Sequence, residues 1–215
     1  MRPLQPPTVA ALFVATGGAY FGVDGVDPWD ESRDARKYYG PHPVVAHPPC
    51  SAWCQLSGII EKRWGHKRGE DGGCFASAMD SVRRWGGVLE HPAESHAWRA
   101  FKLPRPIPGR WLEYIDRDGP WTVEAAVCEV AQGAYGHRAR KRTWLYTVGV
   151  SLLPSLNWDR PKPTATVGKA RNHGGGDLPR LHQKEAKATP LAFRDVLIDL
   201  ARRSVGDTKQ RVVNS

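Results

Sequence analysis

The feature that most constrains this chain is a set of short apolar runs, each cut off by glycine or proline. Residues 9–15 (VAALFVA) stop at Thr16-Gly17-Gly18, residues 43–47 (PVVAH) at Pro48-Pro49, and residues 87–90 (GVLE) at His91-Pro92. Apolar runs this short, bounded by chain breakers, read as buried strands. Helical stretches are expected between them. Residues 30–39 (DESRDARKYY) begin acidic and turn basic, which suits the helix dipole. Residues 71–85 carry Phe75, Ala78, Met79 and Val82 at helical spacing and end at Gly86-Gly87. Alternating strands and helices predict an α/β domain with a mostly parallel sheet.

Further strands are expected at 123–130 and 143–148, a short helix at 94–101, and irregular Pro-rich chain at 102–110. Residues 151–181, with Gly174-Gly175-Gly176, read as a long loop. Thr189 is expected to cap a last helix, with Pro190 in its first turn and Phe193, Val196, Leu197 and Leu200 as its apolar stripe. The expected organisation is one domain over residues 1–204 and a disordered tail over 205–215.

Lys plus Arg number 31 against 22 Asp plus Glu, a net charge of +9. That balance favours a polyanionic partner, most simply DNA, and the densest basic run is Arg138, Arg140, Lys141 and Arg142. No apolar stretch approaches the roughly 20 residues of a membrane helix. No secretory leader pattern opens the chain, so a cytoplasmic location is expected. Reduced cysteines then leave packing, metal binding or nucleophilic chemistry for Cys50, Cys54, Cys74 and Cys128.

Ligands of α/β sheets bind beyond the carboxyl ends of the strands. The loops expected there are Thr16-Gly17-Gly18, Pro48-Pro49-Cys50 and Glu90-His91-Pro92. Cys50, held by two prolines past a strand, is placed as a nucleophile whose pKa nearby arginines and helix ends would lower. A zinc site built from His47, Cys50, Cys54 and Cys74 is the metal-binding alternative, since H-x-x-C-x-x-x-C is near zinc-ligand spacing. The zinc deaminase order of motifs is reversed here, and the working expectation is no metal.

Four segments in order, LFVATGG, VVAHPPCS, GGVLEHP and YGHRARKRTWLY, resemble the DNA cytosine-5 methyltransferases over about residues 9–148. That family carries F-x-G-x-G-G, a Pro-Cys nucleophile after an apolar strand, Glu-Asn-Val at the end of the next strand, and Gln-x-Arg-x-Arg. The resemblance implies a minimal Rossmann-like methyltransferase fold, similar to short phage and prophage members, acting on DNA in the host cytoplasm. It implies that Cys50 attacks carbon 6 of a flipped pyrimidine. Glu90, with a raised pKa, would contact ring nitrogen 3, and Arg140 and Arg142 would position the base. Ser51, Arg138 and Lys141 would contact nucleic acid. Phe13, Ala15, Thr16, Gly17 and Gly18 would line S-adenosylmethionine, with Phe13 packing on its adenine; Asp27 could replace the ribose acid, and stacking by Trp29 or another tryptophan could offset a missing adenine wall.

The chain departs from the family in three residues: Ala15 for a glycine, His91 for the asparagine, and Arg138 for the glutamine. It also departs in length. Only residues 19–42 separate the glycine pair from the next apolar run, where the family has two further strands with their helices. A crossover needs about a dozen residues, so one helix fits and three crossovers do not. Weaker cofactor binding is expected. Two alternatives stay open: the adduct accepts an electrophile from another donor, or the chain is a non-catalytic relative that binds DNA or protein as a decoy.

Overall fold

The computed structural model describes residues 8–54, 67–167 and 178–204. The glycine run at 174–176 and the tail at 205–215 lie outside the described residues. The fold is α/β. Seven strands form one sheet in the order β2-β1-β3-β4-β7-β6-β5. They are β1 (Val9–Leu12), β2 (Val26–Trp29), β3 (Val44–Ala46), β4 (Gly87–Pro92), β5 (Leu112–Asp116), β6 (Val123–Ala131) and β7 (Arg142–Val148). The helices are α1 (Cys74–Trp85), α2 (His96–Ala100), α3 (Gln183–Lys187) and α4 (Leu191–Arg203).

The sheet is mixed, where a mostly parallel one was expected. Strands β2, β1, β3 and β4 run parallel, whereas β4, β7, β6 and β5 pair antiparallel along the longer ladders. Chain length explains the antiparallel half. Only residues 132–141 separate β6 from β7, too few for a parallel crossover. β5 joins β6 through a similarly short link.

The expected helix at 30–39 is replaced by turns and one 3-10 turn at Ala35–Lys37. The cause is side-chain competition for backbone hydrogens. Asp30 Oδ1 accepts from the Ser32 and Arg33 amides, and Asp34, at φ 54°, accepts from the Arg36 amide. The unexpected β2 contains Pro28, which an edge strand tolerates because no neighbour needs its missing N–H. Pro190, rather than Thr189, occupies the cap of α4.

Side chains alternate across the sheet and bury both faces. Leu12, Val44, Ala46, Leu89, Trp144 and Tyr146 pack with Phe75, Met79 and Val82 of α1. On the other face Val9, Ala11, Val45, Val88 and Leu145 pack with Phe193, Leu197 and Leu200 of α4. The Gly86-Gly87 stop has a steric reason: a Cβ on Gly87 would collide with the Val44 carbonyl oxygen. A buried Arg83–Asp116 pair, at 2.9 Å, ties α1 to β5 and receives the Tyr146 hydroxyl at 2.7 Å. Among the described residues no helix is long and apolar enough to cross a membrane.

Candidate active site

The carboxyl ends of β1, β3 and β4 lie side by side. The ladder continues one step past β3, where the His47 amide donates to the Leu12 carbonyl at 3.0 Å. The following turn places Cys50 at the surface. Its carbonyl accepts from the Trp53 amide at 3.0 Å, and the Trp53 carbonyl accepts from the His96 amide at the start of α2. Trp53 packs against Phe75 and Phe101, and its indole donates to Asp71 at 2.8 Å. Two prolines and an anchored tryptophan therefore hold the backbone at Cys50 from both sides.

Glu90 leaves β4 toward the α4 face, because Leu89 and His91 point the other way. His91 is fully buried, with its ring edge-on to Phe75 at 5.1 Å. Burial pushes its pKa down to about 4, so it is neutral at pH 7. The Glu90 carboxyl is met on both oxygens. His47 Nδ1 lies 3.0 Å from Oε2, and Gln132 Nε2 donates to Oε1 at 3.0 Å. Gln132 also donates to the Thr143 hydroxyl at 2.9 Å, and the Tyr20 hydroxyl lies 2.7 Å from His47 Nε2.

These contacts overturn two electrostatic expectations. Burial pushes the Glu90 pKa up, but the His47 hydrogen bond and charge, with Lys141 and His91, hold it below the ordinary glutamate value. Cys50 moves the opposite way from the expected lowering. Desolvation at the sulfur raises its pKa, the Glu90 and Cys54 charges add to that, and Lys141 pulls it down. The free site thus holds a thiol beside a carboxylate.

Lys141 is close enough to act on both Cys50 and Glu90. Its Nζ donates to the Lys187 and Ala188 carbonyls at the end of α3, at 3.3 and 2.7 Å. The other basic residues divide. Arg138 is exposed and pairs with Glu185, while Arg140 is exposed with no side-chain partner among the described residues. Arg142 is held by both oxygens of the buried Glu129, at 3.0 and 2.7 Å. It shares the α1 face with Trp144, so the structure does not bring it to Glu90. Ser51 is exposed beside Cys50.

Sequence reasoning set Cys50 and Glu90 at neighbouring strand ends with Arg140, took Lys141 for a nucleic-acid contact, and missed the residues that hold the Glu90 carboxyl. His47 entered only as a zinc ligand, and Tyr20, Gln132 and Thr143 carried no signal. Gln132 directly follows β6, ahead of the arginine run. No cluster of three or more His, Cys, Asp or Glu side chains suited to a metal exists among the described residues. His47 is engaged by Tyr20 and Glu90 instead.

S-adenosylmethionine fits this site at one end only. Phe13, at φ 59°, follows β1, and Ala15, Thr16 and Gly17 come next, exposed, with backbone amides that have no partner among the described residues. Amides presented at such a turn suit a carboxylate. Gly18 closes the turn by donating to the Ala15 carbonyl at 2.9 Å. The acid expected to serve the nucleoside end is not free. Asp27 is taken by Arg33 and the Trp29 indole, with Arg33 lying over the Trp29 ring at 4.0 Å. Asp30 is buried, accepting from Thr16 Oγ1 at 2.7 Å and from Ser32. The residues present therefore do not fit the whole cofactor. Compared with known proteins, the chain matches no protein-family model, no curated protein and no solved structure.

Proposed function

We propose that this chain is a DNA (cytosine-5) methyltransferase-like transferase that modifies carbon 5 of a flipped pyrimidine through a covalent adduct with Cys50. The observation that carries the reading is the placement of Cys50 and Glu90 at the carboxyl ends of the adjacent parallel strands β3 and β4, near enough that the Glu90 and Lys141 charges act on the thiol. Simple binding needs no such trio. The first strand lies beside the strand that leads to the nucleophile, as the resemblance expects, which supports a reduced Rossmann-like sheet.

The chemistry needs a sulfur–carbon 6 bond and a place for the displaced π pair. The sulfur attacks as thiolate after losing its proton, and the C5=C6 pair moves into the ring. Glu90 fixes the ring at nitrogen 3, either as an acid donating to a bare nitrogen or as a carboxylate accepting from an N–H. Lys141 stabilises the thiolate and the ring's developing negative charge. Carbon 5 then takes an electrophile, loses its hydrogen as a proton, and the thiolate leaves. The chain's own residues account for adduct formation. No step is routed through S-adenosylmethionine, since Asp27, the acid expected at its nucleoside end, is engaged by Arg33 and Trp29.

Arg138, Arg140 and Ser51, exposed around the edge, supply phosphate contacts in this reading. Because only one end of S-adenosylmethionine is served, a carbon-5 electrophile from another donor is the second reading. The test is the mass of nucleosides from DNA of cells expressing the wild type or Cys50→Ser. A new pyrimidine mass present only with the wild type is expected. Identical nucleosides in both would overturn enzymatic activity and favour a non-catalytic binding role.

A further inference from the structure

We infer that the pyrimidine taken by this site carries a hydrogen on ring nitrogen 3, a uracil-type ring rather than a cytosine. The inference rests on the reading of Cys50 and Glu90 as the base-handling pair and narrows its substrate class.

Tyr20 is 3% exposed, and its hydroxyl has one hydrogen-bond partner among the described residues, His47 Nε2. A buried phenol needs an acceptor for its hydrogen, so Nε2 accepts. A neutral imidazole then carries its own hydrogen on Nδ1, and that N–H donates to Glu90 Oε2 at 3.0 Å. The other oxygen is assigned by the same reasoning. The Thr143 hydroxyl donates to the Lys141 carbonyl at 3.2 Å, so it accepts from Gln132 Nε2. The second hydrogen of that amide goes to Glu90 Oε1. Both carboxyl oxygens are acceptors, each fixed by a donor that is itself fixed from behind.

A carboxylate held this way offers lone pairs and no proton. Opposite a uracil-type ring it accepts the N3 hydrogen in a charge-assisted bond. Opposite cytosine it would set lone pair against lone pair. Relief would need a proton on Glu90, against both donors. Addition to the uracil-type ring balances without Glu90 giving a proton. The Cys50 proton passes to water at the exposed thiol, sulfur bonds to carbon 6, and the C5=C6 pair ends on O4 as an enolate. The N3 hydrogen stays in place. The Lys141 ammonium uses two hydrogens on the Lys187 and Ala188 carbonyls and retains a third for the enolate oxygen.

Adduct formation can be read without any donor, because reversible addition at carbon 6 lets carbon 5 exchange its hydrogen with solvent. The full chain is incubated with single-stranded oligonucleotides bearing one [5-²H]deoxyuridine or one [5-²H]deoxycytidine, and label loss is followed by mass. Single strands remove the cost of base flipping. The expected result is exchange from deoxyuridine about tenfold or more faster than from deoxycytidine, the scale of a mismatched charged hydrogen bond. Exchange should be absent in Cys50→Ser. Glu90→Gln, whose amide can face N3 with either group, should bring the two rates within about threefold of each other. Faster exchange from deoxycytidine, or an unchanged preference in Glu90→Gln, would overturn the inference while leaving the Cys50 adduct standing. No exchange from either base would overturn both.

Discussion

Replacing His47 with Phe tests the carboxylate assignment through stability alone, with no need for a substrate. His47 and Glu90 are 3.0 Å apart with side chains 13% and 12% exposed, so solvent screens the contact little. Loss of a hydrogen bond to a charged group costs about 1.5–3 kcal/mol, and stranding the Tyr20 hydroxyl adds about 1 kcal/mol. A chain of this size melts about 2–4 °C lower per kcal/mol, so a fall of roughly 5–15 °C at pH 7 is expected. The pH dependence carries the sharper information. The folded Glu90 pKa lies below its unfolded value, so its stabilisation is present above pH ~4.3 and is lost as pH falls through the folded pKa. His47→Phe removes the stabilised ionised form. The deficit should therefore be full at pH 7 and shrink below about pH 4.3 as Glu90 protonates in both proteins. Adding Glu90→Leu to His47→Phe should recover part of the loss, since no buried charge is then left alone. Thermal melts of the four proteins at both pH values supply the data. A pH-independent deficit, or strict additivity in the cycle, would refute the carboxylate pair.

Three further outcomes follow from the same geometry. Alkylation of Cys50 by iodoacetamide at pH 8 should be faster in Glu90→Gln and slower in Lys141→Met, because Glu90 raises the thiol's pKa and Lys141 lowers it; the reverse order would contradict the placement of the two charges. DNA binding should weaken with salt, and Arg140→Ala should flatten the log–log slope by about one while Arg142→Ala leaves it nearly unchanged, since Glu129 already holds Arg142. Equal effects of the two variants would show that Arg142 is released to DNA. Calorimetry should find S-adenosylmethionine binding weaker than low micromolar; tighter binding would show that the nucleoside end finds partners this account lacks.

The parallel half of the sheet was legible because its strands are buried on both faces and read as continuous apolar runs. β2 was not, since Pro28 and Trp29 break any such run, and only its place on the sheet edge makes the proline acceptable. The helix expected at 30–39 failed on Asp30 and Asp34, whose short carboxylates bind nearby backbone hydrogens. A charge gradient says nothing about that competition. The antiparallel half was decided by the length of the 132–141 link, a constraint visible in the sequence once both strands are recognised. Within the site, Cys50 and Glu90 were legible as reactive groups at strand ends. Their pKa directions were not, because those depend on His47, Gln132 and Lys141 converging from three separate elements. A histidine after VVA and a glutamine after EVA look ordinary until the sheet sets them against one carboxylate.

The central claim is that Cys50 bonds to a pyrimidine ring. Intact-mass spectrometry tests it most directly, after the chain is incubated with 5-fluoropyrimidine oligonucleotides and a small-molecule extract of expressing cells. Fluorine at carbon 5 cannot leave as a proton does, so an adduct that has taken its electrophile stays attached. The predicted result is a protein species heavier by one oligonucleotide, with the bond mapped to Cys50 and absent from Cys50→Ser. The same adduct on Cys50→Ser, or no adduct with either fluorinated base, would contradict it.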